Sequence, residues 1–118
     1  GDPQVKGRIR RIQMEMSMKR MMSNVPDADV VITNPTHYAV ALKYDNQVDS
    51  APKIVAKGID FLAIKIKNIA KDNDIPIIEN PSLARALHDQ VEIEQSIPNE
   101  FYKAIAEIFS YVYELKNR

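Results

Sequence analysis

Cysteine is absent from this 118-residue chain. That excludes disulfides, thiol nucleophiles and cysteine metal sites, and it permits a reducing compartment. Histidine is scarce: His37 and His88 stand far apart and in no metal-ligand spacing, so no metal or other cofactor is expected. No run of about 18 apolar residues occurs, so no segment reads as a membrane span. A signal-peptide pattern is missing as well, as are internal repeats and low-complexity tracts.

What is present is the makeup of one small globular domain. The chain is 45% hydrophobic and 27% charged, enough apolar content to build a core. Net charge is zero but unevenly spread. Residues 1–22 hold six basic side chains (Lys6, Arg8, Arg10, Arg11, Lys19, Arg20) against Asp2 and Glu15, a balance of +4. The remainder holds ten basic and fourteen acidic residues, a balance of −4. A basic arm on a mildly acidic body calls for an anionic neighbour, and a membrane surface or a nucleic acid would serve. Overall neutrality and the lack of aromatic residues in the arm speak against nucleic acid. The chain starts at Gly1-Asp2-Pro3 without a methionine and reads as a fragment of something longer.

Periodicity implies an α/β fold: a small mixed four-stranded sheet flanked by helices, with a long N-terminal helix. Residues 5–24 are rich in helix formers, with no internal proline. Their five methionines suit packing or a sticky helix face. Val25-Pro26 ends the helix, because the residue before proline is pushed out of the helical region. Residues 29–33 read as a buried strand, and 38–44 alternate with the period of a second. The link between them is too short for a crossover helix, so the pair is antiparallel. Residues 53–56 suggest a third strand and 75–79 a fourth. Residues 58–73 carry Ile59, Leu62, Ala63, Ile66, Ile69 and Ala70 on one side of a helix. Asn80 and Pro81 look like the cap and first residue of a short helix to His88. Pro98 opens the last helix, whose apolar seam is Phe101, Ile105, Ile108, Val112 and Leu115. Strand, helix, strand and helix after a hairpin argue a mixed sheet with helices against it.

The stretch that carries chemistry is Asn34-Pro35-Thr36-His37. Asparagine ordinarily degrades when the next residue's backbone nitrogen attacks its side chain, but proline has no backbone N–H, so that route is closed. The reverse route is open: the Asn34 side-chain nitrogen attacks its own carbonyl carbon, closes a succinimide, and releases Pro35 as a secondary amine. An amide nitrogen is a poor nucleophile, so this needs help. Well-oriented intramolecular attack can gain effective molarities of about 10⁵ M or more. A turn pinned by two strands can store about 1–3 kcal/mol. A histidine moving protons is typically worth about 10²–10⁴ in rate, and His37 is positioned in sequence to do so. Thr36 fits better as a residue that shapes the turn. Against this, Asn-Pro is a common turn dipeptide, and a lone histidine is more often a satisfied structural residue. Asn80-Pro81 is an internal control, with no histidine following and a plain capping role. No second carboxylate–histidine constellation can be placed from the sequence, which weighs against a metal or hydrolytic enzyme.

Asn34-Pro35-Thr36-His37-Tyr38, set between Val30-Val31-Ile32-Thr33 and Ala39-Val40-Ala41-Leu42, resembles the signature of the FlhB/YscU family of type III export switch proteins. Residues 1–10, 51–58 and 83–87 are similar to that family too, and the likeness, which leans to the flagellar branch, covers essentially the whole chain. It implies self-cleavage between Asn34 and Pro35, with Asn34 cyclising, Pro35 leaving and His37 assisting. It implies a switch from exporting rod- and hook-type substrates to filament-type ones. It also implies an absent N-terminal membrane domain in the bacterial inner membrane, residues 1–24 as a basic linker helix, and residues 25–118 as a self-cleaving domain on the cytoplasmic side. The partners would be flagellar export substrates and other export-apparatus proteins, with no nucleic acid. Lys6, Arg8, Arg10 and Arg11 would lie near the inner leaflet, or else belong to a solvated linker. Ala51 and Pro52 would help dock substrates, or else only start a strand. Such a protein is not a turnover enzyme, since its nucleophile is consumed; the alternative is a binding module that stays uncut.

Overall fold

The computed structural model describes residues 2–117; Gly1 of the linker stretch and Arg118 at the end of the second segment lie outside the described residues. Helix α1 spans Pro3–Asn24. The Asp2 carboxylate accepts from the Gln4 N–H at 2.9 Å, and Pro3 takes the first helical position, where its missing N–H leaves nothing unsatisfied. Val25–Asp27 then tightens into a 3-10 turn. Met14, Met16 and Met18 are exposed, and only the end of α1 is anchored, by buried Met22 and Val25.

The strands are β1 (Val30–Asn34), β2 (Tyr38–Lys43), β3 (Lys53–Ile59) and β4 (Ile77–Glu79). They lie in the order β3-β2-β1-β4. β2 is antiparallel to both β1 and β3, and β4 runs parallel to β1, so the sheet is the mixed one the pattern implied. β1 is interior and carries fully buried Val30, Val31 and Ile32. Each such side chain is worth about 1.5–3 kcal/mol of burial.

Alternation divides the sheet into two cores. Val30, Ile32, Val40, Leu42 and Ile54 face helices α3 (Pro81–Gln90) and α4 (Tyr102–Lys116). Val31, Ala39, Ala41, Val55 and Ala56 face α2 (Phe61–Asp72) and the end of α1. The two alanines of β2 leave room for α2 to approach the sheet. A β-bulge separates the pairs Ala41/Ala56 and Leu42/Ile54, leaving Val55 as the extra residue. The bulge lets Ile54 fill one core while Val55 and Ala56 fill the other. The segment before α4 covers the β3 edge through a Lys53/Ser96 bridge and a hydrogen bond from Ile97 N–H to Pro52 O at 2.9 Å. An edge so covered is less open to pairing with another chain.

Two expectations need correction. Gly58 and Ile59 do not begin a helix. They extend β3, and α2 starts at Phe61. Ladder pairing to Ala39 and Tyr38 holds them extended, a tertiary contact that outweighs the helical spacing of residues 58–73. The reversal falls on Asp60, at φ 49° and ψ −111°, a region that costs a non-glycine residue about 1–3 kcal/mol. The last helix is also shorter than its seam suggested. Phe101 belongs to a preceding 3-10 turn, and Leu115, in the final turn, is exposed past the edge of the core. Other boundaries shift by a few residues, as helix and strand ends do.

Gly58 is a close-approach position: a Cβ there would meet the Leu62 Cβ at 2.5 Å. Gly58→Ala is therefore expected to destabilise the fold by about 1–3 kcal/mol through overpacking, read by urea denaturation beside the parent chain.

Candidate functional site

The β1–β2 hairpin closes through residues 35–37, with Asn34 and Tyr38 as the last cross-strand pair. Below the turn, the buried Thr33 hydroxyl donates to Tyr38 O at 3.0 Å. Thr33 O accepts from the Asn80 N–H at 3.0 Å. The base of the turn is thus tied to both neighbouring strands, while Pro35, Thr36 and His37 project into solvent.

Within the turn, the Thr36 N–H donates to Asn34 Oδ1 at 3.1 Å, an Asx turn. The His37 N–H donates to Asn34 O at 3.2 Å. Both bonds bear on the reaction proposed for the sequence. A donor on an amide oxygen draws electron density from that amide, which makes the Asn34 Nδ2 protons easier to remove. A donor on the backbone carbonyl of Asn34 makes its carbon a better electrophile and stabilises negative charge that develops on its oxygen. The Thr36 side chain supplies neither bond; the backbone N–H groups of Thr36 and His37 supply one each.

His37 is fixed by contacts that sequence reading did not find. Its carbonyl accepts from the Asp60 N–H at 2.8 Å, continuing the β2–β3 ladder past Ile59. Its Nδ1 lies 2.9 Å from Asp60 Oδ1. Asp60 is 23 residues away in sequence, and only the β3–α2 reversal brings it to the turn. Sequence reading had no means of placing this carboxylate–histidine pair; His88 and Asp89, adjacent in sequence, form another, at 3.0 Å. Lys67 of α2 reaches Pro35 O at 3.4 Å. Asn34 itself borders a shallow depression of about 440 Å³ with Pro81, Ser82 and Arg85 of α3. Among the described residues no group of three or more His, Cys, Asp or Glu side chains could hold a metal ion.

The remaining candidates lie elsewhere. Ala51 is buried and Pro52 half-buried, at the far end of the sheet from the turn. They line an open groove of about 740 Å³ with Tyr44, Tyr102, Phe109 and Tyr113, in which Tyr44 meets Phe109 edge-on at 6.2 Å. Lys6, Arg8, Arg10 and Arg11 are exposed along α1, remote from both. No helix among the described residues is long and apolar enough to cross a membrane.

This architecture is that of a small α/β domain whose mixed sheet presents an Asn-Pro-Thr-His turn at one end. The chain belongs to the FlhB HrpN YscU SpaS family, whose profile matches residues 1–112. It is 59% identical over its full length to the flagellar biosynthetic protein FlhB of Bacillus subtilis (strain 168), covering 33% of that protein. It is 52% identical to FlhB of Escherichia coli (strain K12) over 98% of this chain and 30% of that one. The chain thus spans about a third of the length of these curated relatives. The crystal structure of the cytoplasmic domain of FlhB from Shewanella putrefaciens superposes with a TM-score of 0.81 at 42% identity, over 84% of this chain and 76% of that one. The EscU C-terminal domain carrying an asparagine-to-aspartate mutation gives 0.77 at 28% identity, over 84% and 91%.

The second Asn-Pro pair has a different setting. Asn80 Oδ1 accepts from the Leu83 N–H at 3.3 Å, capping α3. Asn80→Ala is expected to cost about 1 kcal/mol of stability while leaving the Asn34-Pro35 bond as reactive as in the parent, read by thermal unfolding and intact mass.

Proposed function

We propose that this chain is the self-cleaving cytoplasmic segment of a flagellar type III protein export component, cut between Asn34 and Pro35 by asparagine cyclisation. The observation that carries the reading is the pair of turn hydrogen bonds on Asn34, one on its side-chain oxygen and one on its backbone oxygen. Kinship with the FlhB relatives supports the export role.

The step balances without water. His37 takes a proton from Asn34 Nδ2, and Nδ2 bonds to the Asn34 carbonyl carbon. The bond from that carbon to the Pro35 nitrogen breaks, and the proton passes to that nitrogen as it leaves. The products are a C-terminal succinimide at residue 34 and a free Pro35 amine. Water opens the ring afterwards. One chain performs the reaction once, so it is not turnover catalysis.

Cleavage would leave residues 1–34 and 35–118 associated. β1 pairs with β2 over five register positions and with β4 over three, and its Val30, Val31 and Ile32 are fully buried. Freed from the closed turn, Pro35, Thr36 and His37 change shape at an exposed end of the sheet. That local change is the proposed trigger for moving export from rod- and hook-type substrates to filament-type ones. In the whole protein an N-terminal membrane domain would hold this domain on the cytoplasmic side of the inner membrane, with Lys6, Arg8, Arg10 and Arg11 facing the anionic leaflet. The tyrosine-rich groove beside Ala51 and Pro52 suits an apolar segment of an export substrate or of another export-apparatus protein. No role for nucleic acid is proposed.

The test is the mass of the freshly purified chain in denaturant. Two fragments summing to the 13.4 kDa parent, or exceeding it by one water, yet co-eluting natively, are expected. Asn34→Asp keeps an acceptor for the Thr36 N–H but has no Nδ2, so it should remain a single chain. His37→Ala should cut about 10²-fold more slowly or worse. A parent chain that stays whole through prolonged incubation rejects the reading and leaves an uncut binding module.

A further inference from the structure

Asp60 has the chemistry and position of a helix N-cap, yet its side chain makes no cap hydrogen bond. An aspartate at that position ordinarily accepts from the N–H groups of the first turn. Here the carboxylate is turned to the His37 ring instead, 2.9 Å from Nδ1. Its backbone is at φ 49° and ψ −111°, a conformation that L residues rarely adopt. Both ends of that backbone are engaged: the Asp60 N–H donates to His37 O at 2.8 Å, and Asp60 O accepts from the Ile64 N–H at 3.0 Å. A forgone cap and a strained backbone at one residue, with the displaced side chain on a histidine beside Asn34-Pro35, point to a role for this carboxylate at the turn.

We infer that Asp60 is a positioning residue for self-cleavage, one that fixes the tautomer and direction of the His37 ring. An ionised carboxylate only accepts, so the ring nitrogen facing it carries the hydrogen. A neutral imidazole with its proton on Nδ1 has its lone pair on Nε2. That leaves Nε2 as the base that takes the Asn34 Nδ2 proton. When His37 becomes an imidazolium during the reaction, Asp60 faces it with opposite charge and holds the ring in place until the proton reaches the Pro35 nitrogen. Carboxylate, imidazole and nucleophile thus act in series, the arrangement by which a third group orients a base. The inference rests on the self-cleavage reading and adds to it a residue from the β3–α2 reversal.

Two variants separate positioning from folding. Asp60→Gly relieves the positive φ, so it should melt at or above the parent temperature while cleaving about tenfold or more slowly. Asp60→Asn nearly matches the parent side chain in shape, and its amide can offer N–H to Nδ1, which favours the other tautomer; it should also slow cleavage. Cleavage is followed by intact mass over time. Nitrogen-15 NMR of the His37 ring in Asn34→Ala, which stays whole, should show hydrogen on Nδ1 with Asp60 present. Adding Asp60→Asn should shift that population toward hydrogen on Nε2. Parent-like or faster cleavage in Asp60→Gly, or a ring tautomer indifferent to Asp60, overturns the inference. A parent chain that never cuts rejects the self-cleavage reading separately, and the ring tautomer then still decides whether Asp60 sets the imidazole.

Discussion

The structure depends on the interior position of β1. Val30–Asn34 is hydrogen-bonded on both sides, to β2 and to β4, and sends Val30 and Ile32 into one core and Val31 into the other. Removing this strand would unpair two neighbours and open both cores at once. The Asn-Pro-Thr-His turn is grafted onto the end of this strand, where chain geometry is over-determined on one side and free on the other. That division suits the proposed cleavage: the covalent link is exposed, and the packing that would hold its two sides together is not.

Around the turn, different elements each supply one restraint. Thr33 and Asn80 fix the base, the turn's own N–H groups hold both oxygens of Asn34, and Lys67 reaches Pro35 O. The β3–α2 reversal contributes Asp60, which touches His37 twice, through backbone and through side chain. The bulge at Val55 adjusts β3 so that its last residues still pair with β2 beside the turn. Gly58 allows Leu62 to come close enough for α2 to begin immediately after the strand. Fold details some distance from Asn34 in sequence therefore converge on the ring of His37. The groove by Ala51 and Pro52 lies at the opposite end of the sheet, so cutting at the turn and binding at the groove would be separate tasks linked through β1, β2 and β3.

Much of this was determined by sequence alone. Two-residue alternation marked β2, the short link between residues 33 and 38 required an antiparallel hairpin, and Asn80-Pro81 announced a helix start, because each of these is a local relation between backbone geometry and neighbouring side chains. The cleavage route proposed for Asn34-Pro35 was legible for the same reason, since proline's missing N–H is a property of the dipeptide. What only the tertiary structure decided were relations between distant segments. Whether residues 58–59 extend a strand or open a helix is a contest between ladder pairing with β2 and local helical spacing, and pairing won. The pairing of His37 with Asp60 follows from that outcome, across 23 residues that carry no local signal of it.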